Sequence, residues 1–385
     1  MRVLFVTPYG FNDRYRYFTE FVIARALTLR GWTVSACVRY AGEKSRLDRS
    51  EGIEIHRVQG KRQTLQALTK LIARTEVVHI FHLRNLLAIP ALTLSRFFRK
   101  AVIFSEYGLL HDPYLVRDRD DPLASPLDFR PSFRSRLYRL PMTAADRVLF
   151  LSKHNLELCE KLGISGEHVD CLPAVIDGRR FDERETARLS GRAQVPVEPF
   201  ILFVGQLKLR KGWDVLLRSV VDIPRVVLPK VVVVSSTYEN PHPHFVELVQ
   251  TLGIGDRIEY LARVRNAHLE QLYRRCSLLC VPSRYEGFGL PVLEALEFEK
   301  PVVASNVPAL NEIIDHRVNG YLVPPGEPAA LARAITEVLS DRELAGRLAK
   351  AGRASIDNYC VDAWIDRWIE LYQKVSQGRT TDVSV

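Results

Sequence analysis

Two glutamates eight residues apart, Glu286 and Glu294, lie in the stretch PSRYEGFGLPVLEAL (Pro282–Leu296). A loop carries the first carboxylate, and two glycines then bracket an aromatic (Gly287, Phe288, Gly289). Leu290-Pro291 opens a predicted helix, with proline at its first position, where a missing N–H costs nothing. Glu294 falls one turn further on. Glycines let bare backbone N–H groups approach a ligand. A helix start favours an anion by roughly 0.3–1 kcal/mol when exposed, and by up to about 2 when partly buried. Two acidic acceptors beside a phosphate cradle suit vicinal sugar hydroxyls, so the block describes a site for a phosphorylated sugar. Taken singly, either feature also fits an ordinary turn and helix start.

A second charged element lies upstream. Lys211 follows a predicted strand and the turn Val204-Gly205-Gln206-Leu207. A lysine on such a loop is a mobile point charge able to reach a diphosphate leaving group. Beside Lys208 and Arg210, it is equally readable as a solvated surface side chain.

The run Val281–Ala304, VPSRYEGFGLPVLEALEFEKPVVA, resembles the signature of the retaining glycosyltransferases of family four. FVGQLKLRKG (Phe203–Gly212) is similar to that family's strand, glycine turn and pyrophosphate-holding lysine. Ala145–Phe181 and Val307–Pro325 match in order and spacing, so the resemblance covers about residues 140 to 375. It implies a GT-B architecture and a nucleoside-diphosphate sugar as donor substrate, with no other cofactor. Glu294 would then bind the ribose hydroxyls and Glu286 the transferred sugar. The Gly287–Leu290 amides would address sugar and phosphate oxygens. Lys211, with Gly205, would hold the diphosphate. The family usually has arginine where this chain has Gln206, and Arg210 is placed to compensate. The implied transfer retains anomeric configuration, the leaving phosphate taking the acceptor's proton. No metal is expected, since no Asp-x-Asp pair stands at a predicted strand end. The nearest acidic run, Asp118–Asp121, reads as a solvated loop.

The first 140 residues match only in outline. Pro8-Tyr9-Gly10-Phe11 offers one glycine where the family often has two. In Ser105–Asp112, Tyr107 takes the position of the family's acceptor-side histidine, and His111 is a nearby substitute. A phenol can donate to a sugar hydroxyl but is a poor base near neutral pH.

The elements that must position these groups follow from length and patterning. A chain of 385 residues calls for two domains. Continuous Val/Ile/Leu runs alternate with helical-period segments, the pattern of parallel strands buried on both faces. Strands are predicted at Val3–Thr7, Thr33–Val38, Val77–Phe81, Val102–Ser105 and Val148–Ser152. A second series comprises Phe200–Val204, Val231–Ser235, Arg257–Tyr260, Leu278–Val281, Val302–Ala304 and Gly320–Val323. Intervening helices include Phe18–Arg30, Asn155–Leu162, Trp213–Val220, Phe245–Leu252, His268–Arg274 and Pro328–Leu339. The expected fold is α/β, two doubly wound Rossmann-like domains facing across a cleft. An N-terminal acceptor-side domain would span 1–185 and a nucleotide-sugar domain 186–362, with the linker in Asp182–Pro199. By resemblance, the amphipathic helix in 363–385 returns to the first domain.

Composition narrows the setting. Hydrophobic content of 47% with 26% charged residues is that of a water-soluble globular chain. Six scattered cysteines lack metal-site spacing and read as reduced thiols. MRVLFVTPYG reads as a first strand, not a leader, and Leu86–Leu94 is too short to cross a bilayer. A cytoplasmic protein is expected, with peripheral contact at the inner membrane face. The whole net charge of +9 lies in residues 1–190, because residues 191–385 hold 23 basic and 23 acidic side chains. Such asymmetry suggests an anionic partner. Phe129–Leu140 (FRPSFRSRLYRL) and Ser95–Lys100 (SRFFRK) interleave basic and aromatic residues, suiting an anionic bilayer or a lipid-linked acceptor, or a solvated helix face. No nucleic-acid motif is present.

The sequence therefore points to a retaining hexosyltransferase acting on a glycan or glycolipid in polysaccharide or glycoconjugate biosynthesis. Its rivals are a non-catalytic nucleotide-sugar-binding accessory subunit, motivated by Gln206 and Tyr107, and a sugar-nucleotide epimerase.

Overall fold

The computed structural model describes residues 1–8, 18–39, 47–82, 85–107, 141–161, 163–177, 196–228, 230–235, 240–262 and 264–378. His111, the acidic run at 118–121, the basic segment 129–140, the glycine at position 10 and most of the linker lie outside them.

The chain divides into two compact units. The first holds an eight-stranded sheet: β1 (Arg2–Thr7), β2 (Thr33–Arg39), β3 (Leu47–Ser50), β4 (Ile53–Val58), β5 (Val77–Phe81), β6 (Ala101–Glu106), β7 (Arg147–Phe150) and β8 (Val169–Cys171). Their order is β3-β4-β2-β1-β5-β6-β7-β8, parallel throughout except for β3 against β4. Strands β1, β5 and β6 are buried almost end to end, which is why they read as unbroken apolar runs. The hairpin β3–β4 escapes such a search. β4 reads IEIHRV and alternates in burial, as a strand near a sheet edge does.

Alternate residues of β1 feed two cores. Val3 and Phe5 face α1 (Thr19–Leu29) and the last helix, whereas Leu4 and Val6 face α2 (Lys61–Ala73), α3 (Ala88–Phe97) and α4 (Lys153–Lys161).

The second unit is a six-stranded parallel sheet of β9 (Phe200–Val204), β10 (Lys230–Ser235), β11 (Ile258–Ala262), β12 (Leu278–Val281), β13 (Val302–Ser305) and β14 (Tyr321–Val323). Its order is β11-β10-β9-β12-β13-β14. The helices between them are α5 (Trp213–Asp222), α6 (Pro243–Thr251), α7 (Asn266–Arg275), α8 (Leu290–Glu297), α9 (Pro328–Ser340) and α10 (Arg342–Ser355). From β9 the chain builds outward through β10 and β11, then returns to place β12 on the other side of β9. That reversal is a topological switch point, the place where such sheets bind ligands at the carboxyl ends of their strands. The expected doubly wound α/β architecture is present in both units.

At Tyr359 the chain rejoins the first unit, and α11 (Val361–Gly378) completes its core. Ile365, Trp368 and Tyr372 are fully buried against β1 and α1. The Tyr372 hydroxyl lies 2.7 Å from Nδ1 of His79 on β5, and His79 Nε2 lies 2.7 Å from Ser105 Oγ on β6. Complete burial holds His79 well below the usual histidine range, because the imidazolium would lose its hydration.

The sign of the resulting pH dependence is fixed. Below about pH 6.5 the unfolded chain takes up a proton at His79 that the folded chain refuses. Stability contributed by this group is therefore present above that pH and falls on acidification, by about 1.4 kcal/mol per pH unit. His79→Gln should lower stability at pH 8 while flattening the decline between pH 6.5 and 5 by about that slope. Denaturant titrations of both proteins across this range measure the difference, and parallel curves would contradict a neutral buried imidazole.

Candidate active site

The loops that follow β9 and β12 leave the second unit's switch point side by side. After Val204 the chain passes through Gly205, whose amide donates to Val234 (3.0 Å) and continues the sheet. Leu207 is buried in the core, and Leu209–Lys211 then form a single 3₁₀ turn. Gly212 follows at φ +67°, and a Cβ placed on it would lie 1.8 Å from the Pro282 carbonyl oxygen. Only glycine lets the two loops come this close.

Arg284 fastens them together. Its amide donates to the Arg210 carbonyl (2.8 Å) and its Nη1 to the Leu209 carbonyl (2.7 Å). The guanidinium also grips Asp214, in the first turn of α5, through two parallel bonds of 2.7 and 2.8 Å. This planar fork on a carboxylate is a geometry lysine cannot reproduce.

The clamp presents Lys211 to Glu286. Lys211 Nζ donates to Glu286 Oε1 at 2.5 Å, and Ser283 Oγ donates to the same oxygen at 2.7 Å. Glu286 is 5% exposed. Burial alone would raise its carboxyl, but the charges of Lys211 and Arg210 and the bonds from Lys211 and Ser283 outweigh it and leave it below the usual range. Burial, with Arg210 and Lys208 nearby, lowers the Lys211 ammonium despite the attraction of Glu286. Arg210 thus acts on both members of the pair, close to where the family's arginine gives way to Gln206. Gln206 itself is half-exposed, its carbonyl accepting from the Lys208 amide at 2.8 Å.

Beyond Glu286, Phe288 is buried and Gly289 adopts φ +119°, where a Cβ would meet Leu310 Cδ2 at 2.7 Å. α8 begins at Leu290, so Pro291 is its second residue, one place later than the expected first. No acidic residue stands in the first turn. Glu294 lies deeper in the helix, is 8% exposed, and accepts a hydrogen bond from the buried Tyr273 hydroxyl on α7. With no acidic residue in its first turn, the helix start remains electropositive.

Sequence reasoning missed Ser283, Tyr273, Arg284 and Asp214. The spacing Ser283-x-x-Glu286 was a local signal. Arg284 and Asp214 are 70 residues apart and carried none.

In the first unit, Tyr107 follows β6. Its ring packs edge-on against His82, centroids 4.8 Å apart, and against Phe81. Burial, then the charge of Glu20, holds the phenol well above its usual range. His82, which the sequence did not single out, stands at the carboxyl end of β5 beside that unit's own switch point. It sits at φ +65°, sparsely populated for a side-chain-bearing residue. Its Nε2 lies 2.9 Å from Glu20 Oε1. Burial lowers the imidazole, but the bond to Glu20 and the charges of Glu20 and Glu106 prevail and raise it.

Residues 192–355 match the family described as glycosyl transferases group 1. They form a group 1 glycosyltransferase domain. The resemblance carried by Val281–Ala304 therefore holds. A D-inositol 3-phosphate glycosyltransferase of Salinispora tropica is 30% identical over 61% of this chain and 52% of its own length. The chain thus spans about half of that relative. Sucrose-phosphate synthase from Thermosynechococcus elongatus superposes with a TM-score of 0.79 over 98% of this chain and all of that one, at 20% identity. HepE of Anabaena, solved in complex with UDP-glucose, superposes with a TM-score of 0.71 over 99% of this chain and all of that one, at 17% identity. These structures share the GT-B fold.

Removing Asp214 would strand a mostly buried guanidinium. Asp214→Asn is expected to lower stability by on the order of 2 kcal/mol, below the value for a fully buried pair. Asp214→Asn combined with Arg284→Met should cost less than the two single changes added together. Urea denaturation of the four proteins supplies the cycle, and strict additivity would remove the clamp.

Proposed function

We propose that this protein is a retaining, metal-independent hexosyltransferase that takes its sugar from a nucleoside diphosphate. The observation that supports this most is the Lys211–Glu286–Ser283 cluster beside the glycine-lined start of α8, at the switch point of β9 and β12. Lys211 and the electropositive start of α8 offset the charge that builds on the diphosphate as the anomeric C–O bond breaks. The acceptor hydroxyl oxygen bonds to the anomeric carbon on the face the phosphate leaves, and its proton passes to the departing phosphate oxygen. Glu286 accepts from hydroxyls of the transferred sugar, and Glu294 from those of the ribose. The protein's part is chiefly preorganised charge and positioning. The acceptor is a glycan or a lipid-linked sugar, as in cell-surface polysaccharide assembly. The UDP-glucose carried by HepE makes UDP-sugars the first donors to test.

Lys211→Ala and Glu294→Ala should each lower sugar transfer at least a hundredfold, about 2.7 kcal/mol or more in transition-state stabilisation. Radiolabelled donor with lipid and oligosaccharide acceptors measures this, and unchanged turnover in either variant would count against the site. Thermal-shift screening with UDP-, GDP- and ADP-sugars should show one base class raising Tm in the wild type and failing to do so in Glu294→Ala. Donor stabilisation with no product from any acceptor would favour the accessory-subunit reading instead.

A further inference from the structure

α2 and α3 pack side by side over the same face of the first unit's sheet. Neither 61–74 nor 85–100 contains a single Asp or Glu. α2 and its C-terminal flank expose Lys61, Arg62, Lys70 and Arg74. The end of α3 adds Arg96, Arg99 and Lys100, of which Lys100 is half-exposed. Among the described residues, the only ion pair that engages any of these seven cations joins Arg96 to Asp146 at 3.3 Å. The charge is local to these two helices. α11, over the opposite face, mixes Asp362, Asp366 and Glu370 with Arg367 and Lys374, and α4 carries Glu157 and Glu160.

A second property coincides with the first. Leu86, Ile89 and Phe97 are 70%, 56% and 78% exposed. Ile89, Thr93 and Phe97 follow one another at spacings of four, so they form one ridge along the outside of α3, and Leu86 stands in the turn just before it. Leu65 adds an exposed apolar side chain on α2, at 52%. A nucleic-acid backbone would meet the cations but offers nothing to bury this ridge. An anionic lipid surface satisfies both, with phosphates at headgroup depth and an acyl boundary just beneath. Among the described residues no helix is long and apolar enough to span a membrane, so the contact would be interfacial.

We propose that the α2–α3 face docks on an anionic phospholipid bilayer, its basic side chains at the headgroups and Leu86, Ile89 and Phe97 at the acyl boundary. The inference is independent of the transfer reaction proposed above, and its test does not use activity. The full chain is floated with vesicles of phosphatidylcholine alone, and with vesicles containing about 30% phosphatidylglycerol. Binding to the anionic vesicles should be at least tenfold tighter and should weaken as salt is raised. Lys61→Glu combined with Arg62→Glu and Lys70→Glu should weaken it at least tenfold. Ile89→Ser with Phe97→Ser should leave only a remainder that salt abolishes. All five positions are exposed, so the thermal midpoints should stay near that of the wild type. Should the charge-reversed protein fold poorly, Lys61→Gln with Lys70→Gln is expected to show the same direction of change. Four results would overturn the proposal: no binding, equal binding to neutral vesicles, undiminished binding by the folded charge variants, or tighter binding of a fluorescent oligonucleotide than of vesicles.

Discussion

The second unit's site depends on a buried ion pair that needs two separate loops to be held in contact. An ammonium and a carboxylate taken out of water lose several kcal/mol of hydration each unless their geometry and further hydrogen bonds restore it. Lys211 and Glu286 meet that condition because Ser283 and Arg210 stand beside them, and because the backbone allows the approach. Gly212 removes the side chain that would otherwise strike the Pro282 carbonyl, and Arg284 ties the 3₁₀ turn to α5 through Asp214. Electrostatics and sterics therefore converge on the same few residues. The glutamate is held between the lysine and Ser283, and the lysine keeps it as a counter-charge.

The first unit uses a different economy of charge. Its switch point, between β1 and β5, ends in a histidine held by Glu20 and roofed by Tyr107. A raised imidazole beside a buried phenol is a polar cluster within an otherwise apolar layer. Such groups are retained only where something holds them, and here the αL backbone of His82, its amide donating to the Ser105 carbonyl at 2.9 Å, provides part of that constraint. His79, three residues earlier on β5, illustrates the opposite regime, neutral and sealed between Tyr372 and Ser105.

Much of the fold was readable because parallel strands buried on both faces announce themselves as apolar runs, and β1, β5, β9 and β12 all did so. The hairpin β3–β4 was not, since a strand near the sheet edge divides its residues between core and water. α2 and α3 were also passed over as helices: α2 is rich in polar residues around a narrow buried stripe of Leu68, Leu71 and Ile72. Lys211 and Glu286 were each visible from a motif placed just after a predicted strand, but their ion pair belongs to the folded state. Tyr273, Arg284 and Asp214 act through tertiary proximity alone, which no local pattern encodes. His82 had a signal, a histidine immediately after an apolar strand, but its φ and its glutamate partner, 62 positions earlier, belong to the folded state.

The closing of the first core by α11 has a consequence for biogenesis. Tyr372 meets His79 across 293 residues of chain. During synthesis the N-terminal sheet emerges from the ribosome long before the helix that covers it, leaving Phe5, Phe21 and Val34 without their final neighbours while the entire second unit is made. The second unit, continuous from β9 to α10, can fold as soon as it is released. Domains here mature in the reverse of their order along the chain, and the nascent first half is the species most exposed to chaperones and to aggregation.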